Sequence, residues 1–221
     1  MIDQYDMNNI EKFKSKGYVY IKDAIDADLL SLISNYSLID EQQNYSPEEG
    51  PHCQIRNSHS SYGDPLMESM LMHMLPVMEQ NTGLSLYPTY SYYRVYRPGA
   101  ELHSHTDRPS CEVSTTITFK FDYKEQTGSY SWPIFMDGNL CEMNPGDLVI
   151  YRGCDLEHWR EKFIAPEGSY HIQAFLHYVD ANGPFSSYKW DGRPSIGFLK
   201  TSKLPHNKSE SLTKSYIRFT E

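Results

Sequence analysis

The chain lacks the features that mark several common functions. Its 221 residues include four cysteines, Cys53, Cys111, Cys141 and Cys154, and no two form a CxxC pair. That argues against a structural zinc site. Neither a GxGxxG stretch nor a P-loop occurs, so nucleotide binding has no support. No apolar run approaches the ~20 residues that cross a membrane as a helix. The opening Met1-Ile2-Asp3-Gln4-Tyr5 does not read as a signal peptide, so reduced thiols in a cytoplasmic protein are expected. Basic residues are the minority, with 20 Lys and Arg against 29 Asp and Glu, a net charge of −9 and a pI near 5.4. That balance argues against nucleic acid and against an anionic membrane surface as partners.

What the chain has in plenty is rings. Aromatic residues make up 14%, with 18 Tyr, and the hydrophobic share is 39%. Disordered chains are poor in such residues, so a globular protein is expected, and the length suits one domain over 1–221. Charge is unevenly spread. Residues 200–221 hold five basic and two acidic groups, whereas the rest holds 15 and 27, a net of −12. The pattern divides the chain into a helical or mixed part over 1–86, a β core over 87–180 and a C-terminal extension over 181–221.

In the first part, Asp6 is placed to cap a helix that Gly17 stops, and Tyr18-Val19-Tyr20-Ile21 reads as a short strand. Asp26 caps a second helix with Leu29, Leu30 and Ile33 on one face. Residues 41–51 read as a polar loop. Asp64-Pro65 opens a third helix whose Leu66, Met67, Met70, Leu71, Met74 and Met78 recur at helical spacing, a core stripe. Pro76 should kink it and Gly83 end it. From about residue 88 the period changes to two. Strands are predicted over 89–97, 101–105, 113–121, 129–135, 140–143, 147–151, 157–161 and 169–179, separated by Gly, Pro and Asn turns. Eight short strands after a helical preamble predict a mainly β (α+β) fold, an antiparallel jelly roll or barrel backed by helices.

The chemistry concentrates in Tyr96-Arg97-Pro98-Gly99-Ala100-Glu101-Leu102-His103-Ser104-His105-Thr106-Asp107. On an extended backbone His105 and Asp107 leave the same face, so an imidazole and a carboxylate can hold adjacent positions on a metal. His158 is the best candidate for a third ligand. Two His and one carboxylate on one face of an octahedron suit non-haem Fe(II) and leave three positions open.

On these residues the chain resembles the 2-oxoglutarate- and Fe(II)-dependent dioxygenases, in the prolyl 4-hydroxylase-like branch. The family pattern Tyr-x-x-Gly, five residues, His-x-Asp is matched by Tyr96, Gly99, His105 and Asp107. Its following turn and strand are matched by Asn144-Pro145-Gly146-Asp147-Leu148-Val149-Ile150-Tyr151, and its distal histidine by His158. Gly17-Tyr18-Val19-Tyr20-Ile21 is similar to the family's opening strand. The resemblance implies a double-stranded β-helix (jelly roll) core with supporting N-terminal helices. It implies His105, Asp107 and His158 as catalytic iron ligands, and Fe(II) and 2-oxoglutarate as cofactors, with ascorbate a further candidate. The reaction implied is hydroxylation of a small-molecule or peptide substrate by O2, with release of succinate and CO2. By family analogy, Asp107 favours hydroxylation over halogenation.

One departure affects the cosubstrate. The family binds the far carboxylate of 2-oxoglutarate with an Arg or Lys on the last strand, where this chain places His171, and no Arg or Lys lies between Lys162 and Lys189. Arg160 shares a strand face with His158, and a guanidinium can grip a carboxylate with two bonds, so Arg160 is the first replacement. Lys120 is the second. Tyr96 and Arg94 share a face and can line the pocket, with Tyr96 favoured by its family position. Two other readings are kept: a cupin-type metalloenzyme using His103, His105 and Glu112, and a jelly-roll binding module with no redox role.

Overall fold

The computed structural model describes residues 4–45, 55–124 and 130–198. Three helices, α1 (Gln4–Lys16), α2 (Ala27–Asn44) and α3 (Pro65–Thr82), alternate with the first strands, β1 (Tyr18–Ile21) and β2 (Ser58–Tyr62). The β core follows as β3 (Leu86–Tyr96), β4 (Leu102–His105), β5 (Val113–Asp122), β6 (Ile134–Met136) and β7 (Asn139–Cys141). It ends with β8 (Leu148–Arg152), β9 (His158–Arg160) and β10 (Tyr170–Asp180). A six-stranded antiparallel sheet, β1-β8-β5-β10-β3-β2, faces a four-stranded one, β4-β9-β6-β7. This is the expected jelly-roll architecture, a double-stranded β-helix with helices packed on the outside of the larger sheet.

Strand alternation decides which residues do which job. On β10, Ile172, Ala174, Leu176 and Tyr178 join the core formed with the helices, where Met67, Met70, Leu71, Met74 and Met78 supply the α3 stripe. The intervening His171, Gln173, Phe175 and His177 face the space between the sheets, where they meet residues of β3, β5 and β9. The same alternation sends Tyr93 and Val95 of β3 to the helix side and Arg94 and Tyr96 to the interior.

The helix signals act largely as expected. Asp26 accepts from Leu29 N, Asp64 accepts from Leu66 N and Met67 N, and Gly17 and Gly83 adopt positive φ at the ends of α1 and α3. As expected, Gly83 rather than Pro76 ends α3, and Pro76 lies inside it. Three expectations change, at Asp6, at residues 41–44 and at β2. The first helix starts at Gln4, so Asp6 lies inside it. Residues 41–44 complete α2, and its buried Glu41 receives a bidentate Arg97; residues 46–51 lie outside the described residues. Strand β2, Ser-His-Ser-Ser-Tyr, has no apolar alternation to announce it and forms because the free edge of β3 offers it a ladder. The basic tail over 200–221 also lies outside the described residues.

Residues 181–198 pack back onto the domain. A 3-10 segment, Ser186–Gly192, is broken at Lys189, and Trp190 and Asp191 take positive φ values of 59° and 55°. Arg193 then reaches Glu68 of α3 and the Thr89 carbonyl, anchoring this strap to the large sheet. Among the described residues no helix is long and apolar enough to cross a membrane.

Candidate metal centre and cavity

His105 and His158 face each other across the β4–β9 ladder, with ring centroids 4.3 Å apart. Asp107 follows β4 and is fixed by its own N–H, which donates to the Gly153 carbonyl at 2.8 Å. Its Oδ1 lies 3.8 Å from His105 Nε2 and 3.7 Å from His158 Nε2. One donor atom from each of the three residues lies within 4.8 Å of the other two. The sequence-predicted triad is thus brought together.

The backbone sets the tautomers. His105 Nδ1 donates to the His103 carbonyl at 2.9 Å, and His158 Nδ1 donates to the Leu156 carbonyl at 3.0 Å. A carbonyl only accepts, so each Nδ1 carries the proton and each Nε2 keeps its lone pair for a metal. Burial lowers both histidine pKa values, for His105 with help from the neighbouring His158, which keeps the imidazoles neutral. Burial pushes Asp107 up to about 6, against the opposing pull of His105, Ser114, Arg108 and Tyr151. A bound cation would reverse that balance. Gly153 is required here by space. A Cβ at this position would lie 2.2 Å from the Cys111 carbonyl and 2.5 Å from Asp107 Oδ2.

The three donors open onto a cavity of about 450 Å³. Its walls include Arg94 and Tyr96 of β3, Phe175 and His177 of β10, and Tyr62, Tyr90 and Tyr92. Cys111 and His177 also come within reach of Asp107. They form a poorer ligand set, because burial, followed by the charge of Asp107, pushes the Cys111 thiol up to about 12 and keeps the sulfur protonated. Ser114, Tyr151, His177 and Gly153 were not singled out from sequence. Their only signal was an inward strand phase, or a glycine just after a strand.

The cosubstrate candidates separate clearly. Lys120 is exposed and does not reach the interior. Thr116 and Thr118 of β5 face inward and bond Gln173. Phe119 is then an extra residue in the pairing with β10, a bulge that reverses the phase, so Phe121 stacks on His171 and Lys120 turns outward. Arg160 is buried two residues beyond His158 and is not among the residues that line the cavity. Its Nη1 donates to the Trp132 carbonyl at 2.5 Å and its Nη2 to Gln173 Oε1 at 3.0 Å, while its buried Nε has no hydrogen-bond partner among the described residues. His171 joins this group through Gln173 at 2.7 Å and Tyr123 at 2.8 Å. Burial, then the charge of Arg160, keeps His171 neutral, so it is no substitute for the family's cation.

His103 does not face the triad. Leu102 pairs with Arg160 and His105 with His158, and both point inward although they are three residues apart. The irregularity between them turns His103 outward, with its side chain 81% exposed beside Glu101. Glu112 accepts from Asp180 N instead. Among the described residues, no cluster suited to a metal includes His103 or Glu112, so the cupin ligand set is not assembled.

No protein-family description matches the sequence, and no curated protein matches it. Solved structures do. A prolyl-4-hydroxylase from Pseudomonas putida superposes with a TM-score of 0.59 at 17% identity, covering 78% of this chain and 98% of that one. The epimerase SnoN, in a complex with Fe3+, alpha ketoglutarate and nogalamycin RO, gives a TM-score of 0.67 at 11% identity over 88% of this chain and 92% of its own. EctD from S. alaskensis gives 0.61 at 13%, covering 87% and 86%. The chain therefore carries the double-stranded β-helix fold that serves 2-oxoglutarate- and Fe(II)-dependent oxygenases.

Proposed function

We propose that the protein is a 2-oxoglutarate- and Fe(II)-dependent oxygenase that hydroxylates a C–H bond of a small-molecule or peptide substrate. The observation that carries this reading is the convergence of His105, Asp107 and His158 at one wall of the cavity. The residues fit the group. Two neutral Nε2 atoms and one carboxylate supply a facial set. Arg160, a buried cation with an orphaned Nε, supplies what a carboxylate arriving beside that set would require. When bound, iron and cosubstrate supply the oxidation: one oxygen atom enters the substrate, the other enters succinate, and CO2 leaves.

The chain's own part is positioning. The His103 and Leu156 carbonyls aim the two imidazoles, and Gly153, Ser114 and Tyr151 hold the carboxylate. Arg160 would exchange its neutral acceptors for the 5-carboxylate of 2-oxoglutarate, leaving the 1-carboxylate and keto oxygen to face the metal set. Tyr96 and Phe175 line the cavity that would hold the substrate. Free Cys111, Cys141 and Cys154 suit the cytoplasmic location assigned from sequence.

The test is succinate formation from labelled 2-oxoglutarate by Fe(II)-loaded protein under O2. Wild type should turn over 2-oxoglutarate even without substrate, and Asp107→Ala should not. Turnover that persists unchanged in Asp107→Ala would end this reading.

A further inference from the structure

His177, on the inward face of β10, is used by neither the metal set nor the group around Arg160. It lines the cavity, is only 5% exposed, and one of its ring nitrogens lies within 4.8 Å of an Asp107 carboxylate oxygen. Its proton can be placed. The Ser114 hydroxyl donates to the Cys111 carbonyl at 3.0 Å, and a carbonyl only accepts. The other acceptor in reach of that hydroxyl, Asp107 Oδ2 at 3.5 Å, is a carboxylate and leads to the same result. With its one proton spent there, Ser114 Oγ accepts from His177 Nδ1, 2.8 Å away. The lone pair of the ring therefore sits on Nε2. Among the described residues nothing bonds this atom, and it is left open to the cavity. Burial, then Arg108 and His158, push the His177 pKa down to about 3, so the ring stays neutral.

We propose that His177 Nε2 accepts a hydrogen bond from a neutral donor of the primary substrate, a hydroxyl or an amide N–H carried on an apolar or aromatic body. This rests on the oxygenase reading for the oxidation, whereas the binding claim stands on the ring, its tautomer and the cavity. A buried acceptor with no protein partner selects a guest that brings a donor, because a guest without one displaces water and leaves the lone pair unmet. The donor is neutral because Arg94 and Arg108 stand in the same wall and a ferrous ion would add to their charge, which disfavours an ammonium group. The body is apolar because rings surround the site. Tyr90 lies over His177 with centroids 4.4 Å apart, Tyr62 stacks on Tyr90 at 4.9 Å, and Phe175 continues the wall. A cavity of about 450 Å³ suits a small molecule or one side chain of a peptide. Because His177 adjoins Asp107, a group bound to it brings the neighbouring carbon to the carboxylate side of the metal set.

The binding test needs no turnover and is run under argon. Phenylpropanol and its methyl ether form one pair of probes, and N-methylphenylacetamide and N,N-dimethylphenylacetamide the other. Each is titrated into full-length wild-type protein by calorimetry. In at least one pair the donor probe should bind about fivefold or more tightly than its methylated twin, and the pair that does so tells a hydroxyl from an amide. His177→Phe should bring that ratio close to one. His177→Gln keeps an acceptor and should retain part of the preference, which separates a lost hydrogen bond from a damaged fold; circular dichroism of both variants checks folding directly. In wild type with isotope-labelled histidine, nitrogen NMR should find the His177 proton on Nδ1, and the Nε2 resonance should move with the donor probe but not with its twin. The proposal is overturned if neither donor probe is preferred, if the preference survives in His177→Phe, or if the proton is found on Nε2. Absence of succinate from wild type under O2 would sink the oxygenase reading alone, since the binding ratio is measured without it.

Discussion

The two faces of β10 differ in kind. On one, Ile172, Ala174, Leu176 and Tyr178 are fully buried against the helices, and the sole side-chain polar atom, Tyr178 Oη, donates to the Leu71 carbonyl. On the other, His171, Gln173 and His177 are as deeply buried but carry polar atoms into the interior, where Thr116, Arg160 and Ser114 meet them. Burial on the first face is stabilising, at ~1.5–3 kcal/mol for a large side chain. On the second it costs desolvation and is tolerated only because partners are in place. One strand thus carries stability outward and chemistry inward, and the faces should respond to substitution in opposite ways.

The largest contrast is expected at the metal set. His105→Ala should bring succinate formation to background while moving the melting temperature little, because the ring is partly exposed at the open end. Leu176→Ala should do the reverse. It opens a cavity in the helix-facing core and should cost about 2–5 kcal/mol by denaturant titration, with activity per folded molecule retained. Equal losses of activity and stability in both variants would remove the division between the helix-facing core and the interior between the sheets.

A smaller effect tests the helix side by pH. Burial works to raise the Asp40 pKa, but hydrogen bonds from Tyr93, Asn44 and His59 outweigh it and hold the carboxyl below its usual 3.8. A lowered folded-state pKa means that the contribution is present above pH ~4 and lost as the pH falls through the folded value. Melting temperature should therefore fall more steeply below pH 4 in wild type than in Asp40→Asn, and parallel curves would contradict this. The smallest effect is expected at Lys120, exposed by the β5 bulge. Lys120→Ala should change stability by no more than about 0.5 kcal/mol and leave the 2-oxoglutarate KM alone.

Much of this arrangement was legible in the chain. The His105–Asp107 spacing and the distant His158 identified the triad, and Asp26, Asp64, Gly17 and Gly83 marked helix ends, because those signals are local. What was not legible depended on strand phase. Alternation by two puts His103 beside His105 and Lys120 beside Thr118, and in each case one extra residue in a ladder reverses the outcome. Strand β2 was hidden because serines form it through pairing with β3, without an apolar face of their own. Arg94 was read as a lesser neighbour of Tyr96, since nothing local tells a buried, cavity-lining arginine from a surface one.

The most direct test of the central claim is anomalous diffraction at the iron edge from crystals soaked anaerobically with Fe(II). The account predicts one strong peak per chain, within bonding distance of His105 Nε2, His158 Nε2 and an Asp107 carboxylate oxygen. A peak on Cys111 and His177 without the other two histidines, or no peak in fully soaked crystals, would contradict it.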